Sequence, residues 1–139
     1  MSDVVITIGP FTMRARYELE LAPQTCAAFR KMLPMQTHVV HVRWSGQAVW
    51  IPMGELQLPI PPENATSYPV PGEILLYPGG ISETELLIAY GGTRFASKAG
   101  QLAGNHFLTL TSGSEHLKEL GRLTLWHGAQ AVRIEAAAE

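Results

Sequence analysis

Apolar and polar positions alternate most cleanly over Met13 to Leu21. Met13, Ala15, Tyr17, Leu19 and Leu21 fall on one face, and Arg14, Arg16, Glu18 and Glu20 on the other, the period of two expected of a strand with one wet face. Upstream, Val4 to Ile8 is short, β-branched and closed by Gly9-Pro10, so the two segments predict a hairpin. The period then changes. Pro23 opens a helix at the position where its missing N–H costs nothing; Cys26, Phe29 and Leu33 share a stripe, Arg30 and Lys31 suit the negative end of the helix dipole, and Pro34 stops it. His38 to Trp44 and Gln47 to Ile51 predict two strands around a Ser45-Gly46 turn. Glu73 to Tyr77 predicts another, ended by Pro78-Gly79-Gly80, and Leu86 to Tyr90, apolar on both faces, a central one. Residues 93 to 104 are small and polar, and predict a loop with a turn of helix. After a strand over His106 to Thr111, Ser112 and Glu115 have the spacing of a capping box. They precede a helix with Leu117, Leu120 and either Leu123 or Leu125 inward. Ala129 to Ile134 is the final strand, and Ala136 to Glu139 reads as a frayed tail.

That makes about eight strands, with helices after the second and before the last. The fold class is mainly β, a barrel or a sandwich. No repeat or linker interrupts residues 1–139, so one domain is expected. The exception to regular strands is Pro52 to Pro71, where six prolines predict a long ordered loop.

Composition narrows the function classes. Only 16% of residues are charged against 46% apolar, which is low for a monomer's surface and predicts a homo-oligomer. A net charge of −2 with no basic run argues against nucleic acid. The single cysteine, Cys26, excludes an intrachain disulfide. No apolar run approaches the ~20 residues that span a bilayer, and the first residues lack a signal-peptide pattern, so a cytoplasmic protein away from membranes is expected. His38 and His41 point to opposite faces of one strand, and no Cys or Asp cluster joins them. No metal site and no cofactor are expected.

Several stretches carry a resemblance. Leu19-Glu20-Leu21-Ala22-Pro23-Gln24-Thr25-Cys26-Ala27-Ala28-Phe29 is similar to the cyclophilin pattern of a strand, Ala-Pro-x-Thr and a helix reaching Phe. Gly100-Gln101-Leu102-Ala103-Gly104-Asn105-His106-Phe107 resembles the later cyclophilin strand entry. The fuller likeness is to a bacterial family of uncharacterised proteins with a cyclophilin-like barrel, on Val42-Arg43-Trp44-Ser45-Gly46, Pro62 to Pro69, Pro71 to Gly80 and Gly104 to Phe107. The resemblance implies a closed cyclophilin-like β-barrel with two helices capping its ends, and no established activity. Of the prolyl isomerase groove, it retains counterparts only to Arg43 and His106; the Phe-Met-x-Gln-Gly-Gly stretch is replaced by Trp44-Ser45-Gly46.

The candidate site follows from these residues. Arg43 offers a planar fork of donors to a carboxylate or carbonyl, or else is a strand charge paired with Glu63 or Glu73. His106 suits proton transfer, or is a half-buried histidine bonded to backbone. These two are the catalytic candidates. The substrate-binding candidates are His41 beside Arg43, Asn105 beside His106, Glu63 and Asn64 on the stiff loop, and the aromatics Trp44, Tyr77, Tyr90 and Phe95. Glu63 and Asn64 read equally well as caps, and Tyr77 and Tyr90 as core. Glu83 and Glu85 read as a solvated pair, and Cys26 as a buried thiol. The expected function is binding or conversion of a small anionic or amide-bearing metabolite in a groove on the barrel. The alternatives are a degenerate prolyl isomerase and a non-catalytic interaction module.

Overall fold

A computed structural model describes residues 2–138. The hairpin of β1 (Val4–Ile8) and β2 (Phe11–Tyr17) leads into α1 (Pro23–Arg30). There follow β3 (Met35–His41), β4 (Gly46–Pro52), β5 (Ala65–Thr66), β6 (Glu73–Tyr77) and β7 (Glu85–Thr93). A small hairpin of β8 (Ala96–Ser97) and β9 (Gly100–Gln101) precedes β10 (Gly104–Ser112), α2 (Leu117–His127) and β11 (Gln130–Ala136). Eight strands run in the order β2-β1-β11-β3-β4-β7-β6-β10, every pair antiparallel, and β10 returns to β2 to close the barrel. The short β5 pairs with Gly104 and Asn105, extending the lane along β10 that β2 occupies further on. Closure leaves no long free edge, and rules out the sandwich.

Alternation decides what goes inside. Ile6, Met13, Ile51, Ile74, Leu76, Leu86, Ile88 and Ile134 are all buried in one core. A register shift between His106 and Leu108 lets β10 bury both Phe107 and Leu108. Phe29 of α1 meets the Phe107 ring edge-on at 4.9 Å, while Leu117 and Leu120 of α2 join the same core. Gly121 is where α2 comes closest to the barrel wall: a Cβ there would stand 2.5 Å from the Tyr90 ring. The core is side-chain filled, so any ligand must sit outside it.

Several local expectations are corrected. β2 ends at Tyr17, its partner Leu108 being the last residue that pairs with it in that direction. The chain then turns, the Ala22 N–H donating to the Glu18 carbonyl, which leaves Leu19 and Leu21 more than half exposed rather than inward. No capping box forms: Gly113, at φ +88°, holds the N-cap position and offers no side chain. The turn of helix expected in residues 93–104 is the β8–β9 hairpin. The tail is partly ordered, since Ala136 pairs with Val4 and the Ala137 N–H donates to the Asp3 carbonyl; Glu139 lies outside the described residues.

Candidate functional site

A second apolar cluster lies on the outside of the barrel. Ala48, Leu75, Tyr77 and Leu87 project outward from β4, β6 and β7, and Phe95 and Leu102 from the chain around the β8–β9 hairpin cover them. This is why β7 is buried on both faces, as its apolar run predicts. Phe95 is fully buried and meets Tyr77 edge-on at 5.8 Å. The Tyr77 hydroxyl accepts the N–H groups of Ile81 and Ser82, fixing the turn before β7. The β8–β9 hairpin is thus bolted to the sheet, and a cavity of about 580 Å³ opens along its side.

That cavity is lined by Arg43, Trp44, Trp50, Glu83, Glu85 and Lys98, with the His41 to Ser45 chain forming one wall. Trp50 stands on β4 beside Leu87, on the outer face. Trp44 is 55% exposed. The Ser45 hydroxyl donates to the Ala96 carbonyl, and the Ala96 N–H donates back to the Ser45 oxygen, tying the Trp44 turn to the hairpin opposite. Arg43 and Lys98 have no ion-pair partner among the described residues.

Glu85 is the chemically unusual member. It opens β7 on the same face as Leu87, between Pro52 of β4 and Tyr77 of β6. Only 6% of its surface is exposed, and among the described residues no hydrogen-bond donor or cation engages its carboxyl. Burial pushes its pKa up to about 8, helped by the negative charge of Glu83. The carboxyl therefore keeps its proton at neutral pH and can serve as donor or acceptor. Its expected role as a solvated charge is corrected. The signal was present: alternation places Glu85 on the face of Leu87 and Ala89, inside a strand that is apolar on both sides.

The other expected residues divide. His41, Arg43 and Trp44 line the cavity. His41 is occupied, its Nδ1–H donating to the Val42 carbonyl at 2.8 Å and its Nε2 accepting from the Tyr90 hydroxyl at 2.7 Å. Tyr90 accordingly faces α2 rather than the cavity. Tyr77 and Phe95 support the site from beneath its cover. His106 lies elsewhere, on β10, four strands from β3 around the barrel. There its Nε2 bonds Thr109 Oγ1 at 2.8 Å, Thr109 donates to Glu18, and the Glu73 carboxylate stands 3.7 Å from Nδ1. The apolar cluster under Phe95 and Leu102 separates it from Arg43, so the two catalytic candidates share no cavity and the isomerase-like pairing is not assembled.

Glu63, Asn64 and Asn105 form a clamp instead. One Glu63 oxygen accepts the Thr25 N–H at 2.5 Å and the Thr25 hydroxyl at 2.7 Å, filling the N-terminal turn of α1. Asn105 donates to Thr25 Oγ1 and the Pro61 carbonyl, and accepts from the Glu63 N–H. Asn64, at φ +50°, donates to the His106 carbonyl at 2.9 Å. Together they pin the proline-rich loop to α1 and β10.

A larger hollow of about 1180 Å³ lies beside Asp3, Tyr17, Arg30 and the C-terminal alanines. Its polar groups are engaged or buried: Asp3 accepts the Tyr17 N–H, Glu135 is paired with Arg133, and burial raises the Tyr17 phenol above its ordinary value of 10.0 more than Arg30 lowers it. Among the described residues, no cluster of side chains could hold a metal ion, and no helix is long and apolar enough to cross a membrane.

No curated protein matches this chain. Among solved structures, the chain is similar to McbB in complex with tryptophan, with a TM-score of 0.76 and 16% identity, over 98% of this chain and 45% of that one. This chain therefore spans less than half of McbB. It is also similar to the hypothetical protein AF2241 from Archaeoglobus fulgidus, whose solution structure matches with a TM-score of 0.64 and 15% identity, over 98% and 95% of the two chains. At these identities the likeness shows a shared fold. The family model described as "Protein of unknown function (DUF3830)" matches residues 4–136, and the chain belongs to that family.

Proposed function

We propose that the cavity beside the β8–β9 hairpin binds a small, flat aromatic molecule bearing a carboxylate. The observation that carries this reading is the pairing of two tryptophans with two uncommitted cations around one cavity. Trp44, on a turn tied to the hairpin by Ser45, offers an exposed indole with nothing packed over most of it. Covering roughly 100 Å² of such surface is worth about 2.5 kcal/mol at ~25 cal/mol per Å², and ring-on-ring packing adds to it. Arg43 and Lys98 supply the anion's partners. The cavity volume suits a molecule of amino-acid or nucleobase size. McbB, which shares the fold, is known in complex with tryptophan, and an aromatic amino acid has the ring and the carboxylate that this lining favours.

Calorimetric titration with phenylpyruvate, L-tryptophan and neutral indole tests the reading. The two carboxylates are expected to bind, indole more weakly. Trp44→Ala and Arg43→Gln are each expected to weaken carboxylate binding at least tenfold. Binding of neither carboxylate, or equal binding by Trp44→Ala, would overturn it.

A further inference from the structure

The buried carboxyl in this cavity, engaged by no donor among the described residues, calls for a use. Glu85 sits on a strand paired on both sides, so its position is held by the sheet rather than by a flexible loop. The groups around it come from four elements. Glu83 precedes it and Tyr77 of β6 pairs with it, while Arg43 from the turn after β3 and Lys98 from the β8–β9 hairpin line the same cavity. The Tyr77 hydroxyl oxygen accepts from two amides, and β4 sets Ala48, Trp50 and Pro52 on this face. A buried carboxyl with apolar neighbours and cations near the mouth is arranged to take a proton from a ligand whose anionic end is held by those cations.

Resting on the binding reading above, we infer that Glu85 is the acid–base residue for proton transfer at the carbon beside the carbonyl of an aromatic 2-oxo acid. In the forward step Glu85 in its carboxylate form, which prevails only above about pH 8, takes the proton from that carbon. The C–H electron pair becomes the carbon–carbon double bond of an enolate, and the carbonyl pair moves onto oxygen, where Arg43 or Lys98 stabilises it. The proton on Glu85 then passes to the oxygen, giving the enol, or is replaced by a solvent deuteron that Glu85 delivers to the carbon, giving exchange. Nothing is oxidised or reduced, and no co-reactant is needed. Burial supports the chemistry, because a carboxylate with a pKa of about 8 is a far stronger base than one at 4.5.

The substrate class follows from the lining. The ring goes to Trp44 and Trp50, the carboxylate to the rim cations, and the acidic carbon lies between, within reach of the floor. Phenylpyruvate has these parts and serves as the probe. The experiment follows loss of its C3 proton signal by NMR in deuterium oxide with the whole chain, alongside calorimetry. Wild type is expected to accelerate exchange at least tenfold over buffer. Glu85→Gln should bind within threefold of wild type while exchange falls to the buffer rate. Glu83→Gln, which removes the neighbouring charge, should move the pH profile of exchange to lower pH. Phenylpyruvate bound by wild type without faster exchange would overturn this inference and leave the binding reading intact. Exchange undiminished in Glu85→Gln would overturn it as well, and absence of binding would overturn both.

Discussion

Replacing Glu85 by Gln removes one ionisable group and keeps its shape, which makes it a direct probe of the buried carboxyl. The unfolded chain ionises this group near 4.5, the folded protein near 8. Below pH 4.5 both states hold the proton, and the residue adds no pH dependence. Between 4.5 and 8 the folded state keeps a proton that the unfolded state has released, so stability falls as pH rises, by up to ~1.4 kcal/mol per pH unit. Above 8 both states are ionised and the loss levels at about 4–5 kcal/mol, on the same conversion. The glutamine variant has no such slope; its amide, equally without a partner, carries a pH-independent cost of ~1–3 kcal/mol. Urea unfolding at pH 4.5, 7 and 9 should therefore show the variant no more stable than wild type at the lowest pH and ahead by a few kcal/mol at the highest. Tyr17, Tyr90 and Cys26, whose pKa values are all raised by burial, titrate beyond this window and are common to both proteins. Parallel stability profiles would show that Glu85 ionises normally in the fold, and would remove the basis for its chemistry.

Three further outcomes follow from the geometry. Glu63→Gln weakens the charge-assisted bonds to the Thr25 N–H and hydroxyl at the start of α1; about 1.5–3 kcal/mol of stability should be lost, read by the same denaturation, without effect on ligand binding. Gly121→Ala drives a methyl into the Tyr90 ring and should cost ~1–3 kcal/mol, with Tyr90→Phe failing to rescue it because the clash is with the ring. Cys26 is buried, its thiol pushed up to about 11 by burial, so a thiol reagent at pH 8 should modify it only as fast as the protein opens; fast labelling of the native protein would contradict its place in the core.

The barrel was readable because its signals are repetitive. The β-branched run of β1, period-two alternation in β2, the doubly apolar run of β7, and Pro23 at the start of α1 each report a local preference that the tertiary structure agrees with. The quoted motifs pointed to a closed barrel, and closure through β2 and β10 is present. Errors fell where long-range pairing overrules local pattern. Leu19 and Leu21 continue the alternation, yet β10 stops pairing at Tyr17 and the chain turns away. Ser112 has the right spacing for a cap, but Gly113 takes the position. The site was half readable for a similar reason. Arg43, Trp44 and His41 are adjacent in sequence and remain so in space, whereas whether His106 joins them depends on the strand order around the barrel, which no local pattern states. Glu63 and Asn105 resolve as a clamp only when Thr25 is seen between them.

Glu85 shows how a closed barrel comes to have a buried carboxyl on its outer wall. A closed barrel of eight strands fills its interior with its own side chains, here from Ile6 to Ile134. A site must be made by covering part of the outside. The β8–β9 hairpin does this: Phe95 and Leu102 turn an outward face into a second apolar cluster. At the margin of that cover, an outward-facing residue becomes buried without gaining a partner from the barrel. Glu85 stands at this margin between Pro52, which has no donor, and Tyr77, whose hydroxyl oxygen accepts the Ile81 and Ser82 N–H groups and makes no bond to it. The raised pKa is thus a consequence of this burial, with the Glu83 charge adding to it. Adding a donor beside it, as in Pro52→Lys, should bring the carboxyl back toward the ordinary range and flatten the wild-type loss of stability between pH 4.5 and 8, with the barrel itself unchanged.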